Sequence, residues 1–292
     1  MTRFLIIGDL HGNKPKIYSK EFDAIIAPGD FCSDALREYV FAAMQIEQQT
    51  GIDIEWYNLM TKKKAKKMLK KSMGDGRKIL ESLNALNKPV FVLPGNWDWT
   101  PRNDEWKYLQ KNHWRKHLIK NLKNIRDCHK KTYLFQKITI IGHGITSGPE
   151  YPIGMEIKNK TNSELKKSIK EYQKDYFRPM HKQFICAKKH NQPIIFLSHN
   201  VPYNTKLDKI NNPASPANGK HRGSYLARHL ILKHQPLICI GGHMHEHFGK
   251  TKIKKTIIVN AGFGSSVNTV LEITNNKITK LDFIKNGKKI KN

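Results

Sequence analysis

Five short apolar runs stand out in the sequence, and each leads directly into polar residues. The runs cover residues 3–8, 24–29, 90–95, 193–198 and 237–242. The polar residues that follow them are Asp9 and His11, Asp30, Asn96, His199, and His243 with His245. Continuous apolar runs of this length are typical of strands buried on both faces, and open α/β sheets place ligand sites beyond the carboxyl ends of their strands. The pattern therefore predicts an α/β fold with these side chains at one rim.

Helical spacing of apolar residues marks two further segments. Residues 35–50 carry an apolar face and end at Gly51, a residue type that commonly stops helices. Thr161 and Glu164 have the spacing of a capping box, which predicts the start of a second helix. Pro179 is expected to end or kink that helix.

The remaining apolar runs predict strands at 133–141, 256–262, 269–273 and 278–284. Asn275 and Asn276 lie between the last two runs and are expected to form a hairpin turn. The run at 133–141 leads into a segment rich in Gly, Ser and Pro that contains His143. For His143, the role of an ordinary loop residue is favoured over a role in the site. Residues 285–292 are expected to form a frayed basic tail.

The residues at the five strand ends have the chemistry of a metal site. They offer oxygen and nitrogen atoms without sulfur, a set that suits hard or borderline divalent ions. Asp9 and His11 stand two positions apart, as do His243 and His245, so in extended chain each pair leaves the same face. Asp, Asn and Gly are also common wherever strands end. Five such endings in order favour the metal site over that alternative.

The motifs at these strand ends resemble those of the calcineurin-like metallophosphoesterases. The family's signature is D-x-H, G-D, G-N-H-D/E, a lone His, and G-H-x-H. The matching segments are GDLHGN (8–13), PGDFCSD (28–34), GNWD (95–98), SHNVP (198–202) and GGHMHEH (241–247). The VNAG at 259–262 resembles the strand ending that often follows G-H-x-H. The resemblance covers nearly the whole chain and implies an αββα sandwich, two mixed sheets flanked by helices.

The resemblance also implies a ligand set for two divalent metal ions. Asp9, His11 and His245 would hold one ion, Asp30 would bridge, and Asn96, His199 and His243 would complete the second site. Two ions about 3.5–4 Å apart would activate a hydroxide and clamp the phosphate oxygens. Mn²⁺ is the expected activator, and Fe, Zn, Ni or Co could replace it because imidazole and carboxylate ligands discriminate poorly among them.

One position departs from the family pattern. The His that follows Asn in the third motif, which the family uses on the leaving oxygen or the transition state, is Trp97 here. An indole N–H cannot supply a proton at neutral pH. Asn96 and Asp98 remain the catalytic candidates, although Asp98 would normally orient the missing His. Alternative proton sources are a metal-bound water, His143, His221 and His247.

The length and composition indicate one intracellular domain. The chain has 292 residues, and its ligands span positions 9 to 245, so one domain over 1–292 is expected. No run of about 18 apolar residues predicts a membrane helix, and the sequence enters a strand without room for a signal peptide. Four scattered cysteines fit a reducing compartment. Cytoplasmic location is therefore expected.

The charge balance is strongly basic, and basic helical segments are expected near 52–88 and 102–131. The formal net charge is +28, with 43 Lys and 9 Arg, which indicates either a polyanion-binding surface or a compositional bias. Seven lysines lie between positions 62 and 71. A solvated helix face is favoured there over a nucleic-acid-binding arm, because no aromatic residues interleave the lysines. The segment 102–131 does carry aromatic residues, most of which are better suited to a core than to base stacking. The better candidates for base stacking are Trp114 and, just before this segment, Trp97 and Trp99.

Substrate contacts are expected from Asn13 and from the loop-like segment 204–223, where His221 and Arg222 are the candidates. The function predicted is cleavage of a phosphate ester. A phosphodiester of nucleotide or nucleic-acid type is favoured, because the third-motif His is missing and the chain is basic. The alternatives are a phosphomonoesterase with the same metals and a non-catalytic scaffold that keeps the fold.

Overall fold

The structure is a computed structural model that describes residues 1–103, 105–145, 150–152, 160–213, 217–245 and 247–290. Parts of the predicted loop after His143, of the 204–223 segment and of the basic tail lie outside the described residues.

Thirteen strands form two mixed sheets in the described part of the chain. The first sheet has the order β13-β12-β11-β1-β2-β3-β4, with β1 to β4 parallel and β11 to β13 antiparallel. The second has the order β5-β6-β7-β8-β10-β9, parallel except at its two edges. The strands are β1 Thr2–Ile7, β2 Ala24–Ala27, β3 Val90–Val92, β4 Ile125–Asp127, β5 Lys131–Phe135, β6 Ile138–His143, β7 Ile194–Asn200, β8 Ile238–Gly242, β9 Gly249–Ile253, β10 Thr256–Asn260, β11 Val267–Thr274, β12 Lys277–Lys285 and β13 Lys288–Ile290.

Helices cover the outer face of each sheet. They are α1 Arg37–Thr50, α2 Lys62–Asn84, α3 Asn162–Glu171, α4 Arg178–Lys188 and α5 Tyr225–His234, with π-helical turns at Trp114–Ile119 and Tyr172–Phe177 and a 3₁₀ turn at Trp56–Leu59. Alternate residues along a strand face opposite sides, so Ile6 packs between the sheets while Ile7 packs under α2. A third core lies between the second sheet and α4 with α5. These layers confirm the predicted αββα sandwich.

Three local predictions need correction. The predicted strand at 133–141 is a hairpin of β5 and β6, because Gln136 and Lys137 adopt φ of 45° and 63° and turn the chain. The predicted frayed tail contains β13, which pairs with β12. Helix α3 begins after the predicted Thr161 capping box and ends at Glu171, before Pro179. A π-helical turn follows it, and Pro179 lies in the first turn of the next helix, α4.

The two predicted basic segments differ from each other. Helix α2 fills most of 52–88 as a continuous helix. Residues 102–131 contain only the turn Trp114–Ile119 as helix among their described members, followed by β4. Among the described helices, none is long and apolar enough to cross a membrane.

Candidate metal centre

The seven predicted ligands come together where the carboxyl ends of the two sheets meet. Asp9 and Asp30 follow β1 and β2, Asn96 follows β3, His199 lies near the end of β7, and His243 follows β8. His11, Asp30 and His243 adopt left-handed backbone conformations, with φ of 44°, 55° and 66°. Non-glycine residues rarely adopt this conformation, and such residues cluster at functional sites. The sharp turns aim these side chains back over the strand ends.

One group of ligand atoms comprises Asp9, His11, Asp30 and His245, all within 4.8 Å of one another. The Nε2 atoms of His11 and His245 are 3.0 Å apart, and Nε2 of His245 is 3.2 Å from Oδ2 of Asp9. Nε2 of His11 is 3.6 Å from Oδ2 of Asp30. Two imidazoles and two carboxylates thus surround one small volume.

A second group comprises Asp30, His199 and His243, within the same 4.8 Å limit. Nε2 of His199 is 3.4 Å from Oδ2 of Asp30, so this carboxylate belongs to both groups. The Asn96 amide adjoins them in either of two orientations. With Oδ1 inward it lies 2.9 Å from Nε2 of His199 and 2.9 Å from Nδ1 of His243. Reversed, its nitrogen faces those ring nitrogens and its oxygen accepts from Nε1 of Trp97 at 3.3 Å. Metal binding requires the oxygen inward, because an amide nitrogen only donates.

The protonation states reflect crowding of buried charges. Burial opposes a charge on His199, but the Asp30 carboxylate outweighs it and raises the pKa of His199 to about 9. Burial, reinforced by His199, lowers the pKa of His243 to about 4. Burial also lowers the pKa of His11. His199, more than any other neighbouring charge, lowers the pKa of Asp30 against its burial. Of the rings whose pKa is shifted, His199 is thus the one stabilised as a cation, beside the buried Asp30 carboxylate.

The residues fit a pair of divalent cations. Oδ1 of Asp9 is buried and, among the described residues, has no hydrogen-bond partner. Two glycines keep space beside the carboxylates: a Cβ on Gly95 would lie 2.1 Å from Oδ1 of Asp30, and one on Gly242 would lie 2.3 Å from Oδ1 of Asp9. Carboxylate, imidazole and amide oxygen donors form a set that binds Mn²⁺, Fe²⁺, Zn²⁺ and related ions.

Comparison with known proteins identifies the family. The sequence model of the calcineurin-like phosphoesterases matches residues 2–247. The chain belongs to this family. No curated protein matched the sequence. One solved structure aligns over 96% of this phosphoesterase and 98% of its own chain, with a TM-score of 0.56 and 16% identity. A protein from Thermus thermophilus aligns over 97% and 98% at a TM-score of 0.49 and 15% identity, and a dimetal phosphatase from Danio rerio over 97% and 95% at 0.45 and 10%.

Two residues of the phosphoesterase's third motif make backbone contacts. The Trp97 N–H donates to Oδ1 of Asp30 at 2.9 Å, and its half-buried indole lies edge-on to the His11 ring, with 6.5 Å between centroids. Asp98 is fully buried and accepts three backbone hydrogen bonds, from the N–H groups of Phe31, Cys32 and Gly95 at 2.9, 3.0 and 2.8 Å. Asp98 therefore joins the loop that carries Asp30 to the loop that carries Asn96.

Two of the predicted substrate contacts, Asn13 and Arg222, hydrogen-bond to residues that are next to ligands in the sequence. Asn13 is exposed, and its amide donates to the Leu10 carbonyl at 2.9 Å. Nδ1 of His221 is 2.8 Å from Oδ1 of the fully buried Asp208, a partner that no sequence signal indicated. The Arg222 carbonyl accepts from the Asn200 amide at 2.8 Å. Arg222 is thus joined to the residue after His199.

The other candidate proton sources lie in different places. His247, two residues after His245, contacts the carbonyl of Lys209, the neighbour of Asp208, through Nε2 at 2.7 Å. His143 is buried at the end of β6, with its ring 5.4 Å from that of His129. It follows the same alternation as Ile141, which packs on the helix side of the sheet and away from the ligands. It is therefore not the loop residue that the sequence indicated.

Sequence reasoning missed the residues that support the G-H-x-H segment. The Asn260 amide donates to the carbonyl of Met244, the residue between His243 and His245, at 2.9 Å. The Phe263 ring packs 4.3 Å from the His245 ring. The VNAG segment was the available signal, because Asn260 is its second residue.

Proposed function

We propose that this phosphoesterase binds two divalent ions and hydrolyses phosphodiesters. The observation that carries the proposal is Asp30, whose Oδ2 lies 3.6 Å from Nε2 of His11 and 3.4 Å from Nε2 of His199. A carboxylate shared by two ligand groups is the arrangement that brings two ions close together. Bound ions of this kind activate water and neutralise phosphate oxygens during in-line displacement.

The chain's own residues would have distinct roles in that site. Asp9, His11 and His245 would hold one ion, Asn96, His199 and His243 the other, and Asp30 both. The Asn96 amide is also in a position to donate to a phosphate oxygen. Asp98 is assigned a positioning role, because its carboxylate oxygens are occupied by three backbone N–H groups. Asn13, His221 and Arg222 are proposed as contacts for the substrate beyond the scissile phosphate.

Two observations support a diester over a monoester. Among the described residues, the basic groups within 4 Å of the Asp9 and Asp30 carboxylates are histidines, with no Lys or Arg. A monoester dianion carries more charge to neutralise than a diester monoanion. The indole at position 97 also offers no proton to a poor leaving group.

The cellular location is proposed from the state of the cysteines. All four cysteines are free, and Cys32, Cys128 and Cys239 are buried. Unpaired cysteines are the rule in reducing compartments, so we propose a cytoplasmic protein.

Manganese is proposed as the activating ion. Nitrogen and oxygen ligands bind Mn²⁺ more weakly than the later first-row metals, so bound Mn²⁺ can exchange. Residues 1–292 are proposed to act as one domain, since ligands from positions 9 to 245 share one cluster.

The test compares bis-p-nitrophenyl phosphate with p-nitrophenyl phosphate on metal-stripped protein, with and without Mn²⁺. Both substrates release the same nitrophenolate, so the comparison isolates the number of ester bonds. We expect Mn²⁺-dependent hydrolysis with the higher kcat/KM on the diester. Preference for the monoester would replace the proposal with a phosphomonoesterase. No turnover on either, with metal shown to be bound, would point to the scaffold.

A further inference from the structure

The outer face of α2 carries a concentration of lysine. Six of its residues, which we call the α2 lysine face, are exposed: Lys62, Lys63, Lys66, Lys67, Lys70 and Lys71. Within the described residues, only Lys71 of these six pairs with a carboxylate, that of Asp75 at 3.0 Å. The face spans about 13 Å along the helix axis, enough to contact several consecutive phosphates.

The positive charges of the lysine face are unfavourable for the helix that carries them. The first turn of α2 has no acidic residue, although the helix N-terminus favours negative charge. Lysines also stand four residues apart repeatedly, as at 62 and 66, 63 and 67, and 66 and 70, where like charges repel. This charge spacing therefore costs the free protein helix stability. Segments that break local rules are expected at functional sites.

The face adjoins the metal centre through the loop that carries Asp30. The buried Ser72 hydroxyl donates to the Ser33 carbonyl at 2.6 Å, and the Ser33 hydroxyl donates to Asp75 at 2.8 Å. Asp75 is the same carboxylate that pairs with Lys71. One continuous set of contacts thus links the C-terminal end of the lysine face to the residues that follow a ligand.

Aromatic rings lie among the lysines in space, although none interleaves them in sequence. The Lys66 ammonium lies 5.0 Å from the centre of the Tyr108 ring, and Lys111 lies 5.4 Å from the same ring. Lys64 donates to the Tyr39 hydroxyl at 3.0 Å. Both tyrosines are half-buried residues that pack against the core and carry lysine ammonium groups over their rings. This removes the reason for treating the lysines as a plain solvated face.

From this arrangement we infer that the α2 lysine face binds single-stranded nucleic acid and leads one of its phosphodiesters to the metal centre. The inference rests on the proposed diesterase function and names its substrate class. Lysines provide sequence-independent attraction for the backbone, and neighbouring aromatic rings provide surfaces for bases. Charge alone would suit any polyanion; the tyrosines favour a strand that carries bases.

The chain contains a matched control for this face. Lys166, Lys167 and Lys170 on α3 are exposed lysines with the same spacing as Lys66, Lys67 and Lys70 on α2. The test variant is Lys66→Gln, Lys67→Gln, Lys70→Gln, and the control is Lys166→Gln, Lys167→Gln, Lys170→Gln. Both lose three positive charges from one helix, so the net charge of the two variants is identical.

Binding is measured by fluorescence anisotropy on metal-loaded protein, with a labelled phosphorothioate oligonucleotide that resists cleavage. We expect the slope of log K against log salt to fall by about 2 in the α2 variant, since each lost contact removes about 0.7 for a single strand. At about 0.1 M salt this corresponds to on the order of 100-fold weaker binding. The α3 variant should bind like the wild type. An abasic strand of equal charge should bind the wild type more weakly than the base-containing strand.

Three results would overturn the inference. Equal losses in the two variants would show a general charge effect. Equal binding of the abasic and base-containing strands would reduce the face to a polyanion site. Loss of binding to phosphatidylserine vesicles in the α2 variant, with unchanged oligonucleotide binding, would assign the face to a membrane surface. Because binding is measured without turnover, failure of the diesterase proposal is seen separately, as absent hydrolysis of the small diester.

Discussion

Removing the Asp98 carboxylate is expected to break the hydrogen bonds that hold the loop of Asp30 to the loop of Asn96. Asp98→Ala leaves the buried N–H groups of Phe31, Cys32 and Gly95 without their acceptor. Each unsatisfied buried donor costs about 1–3 kcal/mol, so with three donors the free energy of unfolding should fall by about 3–9 kcal/mol. This is a large part of the usual 5–15 kcal/mol for a folded domain.

Asp98→Asn is the graded comparison. Its Oδ1 still accepts from Phe31 and Cys32, but its amide nitrogen faces the Gly95 N–H, so one contact is lost at a cost of about 1–3 kcal/mol. Urea unfolding of both variants gives these free energies, and calorimetric titration with Mn²⁺ gives the metal affinity. We expect affinity to fall by about 10–100-fold in Asp98→Asn, because the residue supports ligands without being one. Unchanged stability and metal affinity in the Ala variant would refute the role of Asp98 in joining the two loops.

Three further predictions concern the ligands, the indole and acid stability. Asp30→Asn or His199→Ala should lower hydrolysis of a diester by several orders of magnitude with little change in circular dichroism, and near-normal turnover in either would contradict the two-metal site. Trp97→His should raise kcat for alkyl esters more than for nitrophenyl esters, because imidazole can donate a proton and nitrophenolate needs none; an equal effect on both would count against this role. His129 must be neutral to accept the Gly144 N–H at 3.0 Å, and burial lowers its pKa to about 4. The unfolded chain therefore binds more protons between pH 6.5 and 4, and up to about 3 kcal/mol of stability is lost as pH falls through that window. His129→Gln should show a shallower loss in urea unfolding at pH 7 and pH 4.5; an equal loss would assign the acid sensitivity to other groups.

The ligands could be predicted because their signal is local. An apolar run sets a buried strand, the residue after it lies at the rim, and a spacing of two sets a shared face. The layered sandwich followed from the family resemblance those motifs carry. None of these steps required knowledge of which distant segments pack together.

The supporting residues depend on distant packing and left no such local signal. Asp98 contacts backbone groups 66 and 67 residues away, and a lone Asp beside a Trp has no pattern that shows this. Tyr39 and Tyr108 reach the α2 lysines from segments on either side of that helix. The hairpin at Gln136 and Lys137 uses positive φ without the Gly or Asn that usually marks it. Each of these features is set by tertiary contacts that outweigh local preference.

The most direct test of the central claim is titration of metal-stripped protein with Mn²⁺, followed by electron paramagnetic resonance. Two ions that share Asp30 are predicted to bind at two equivalents per chain and to give an exchange-coupled spectrum, which Asp30→Asn should abolish. Saturation at one equivalent, or two equivalents with only isolated Mn²⁺ signals, would contradict a dinuclear centre.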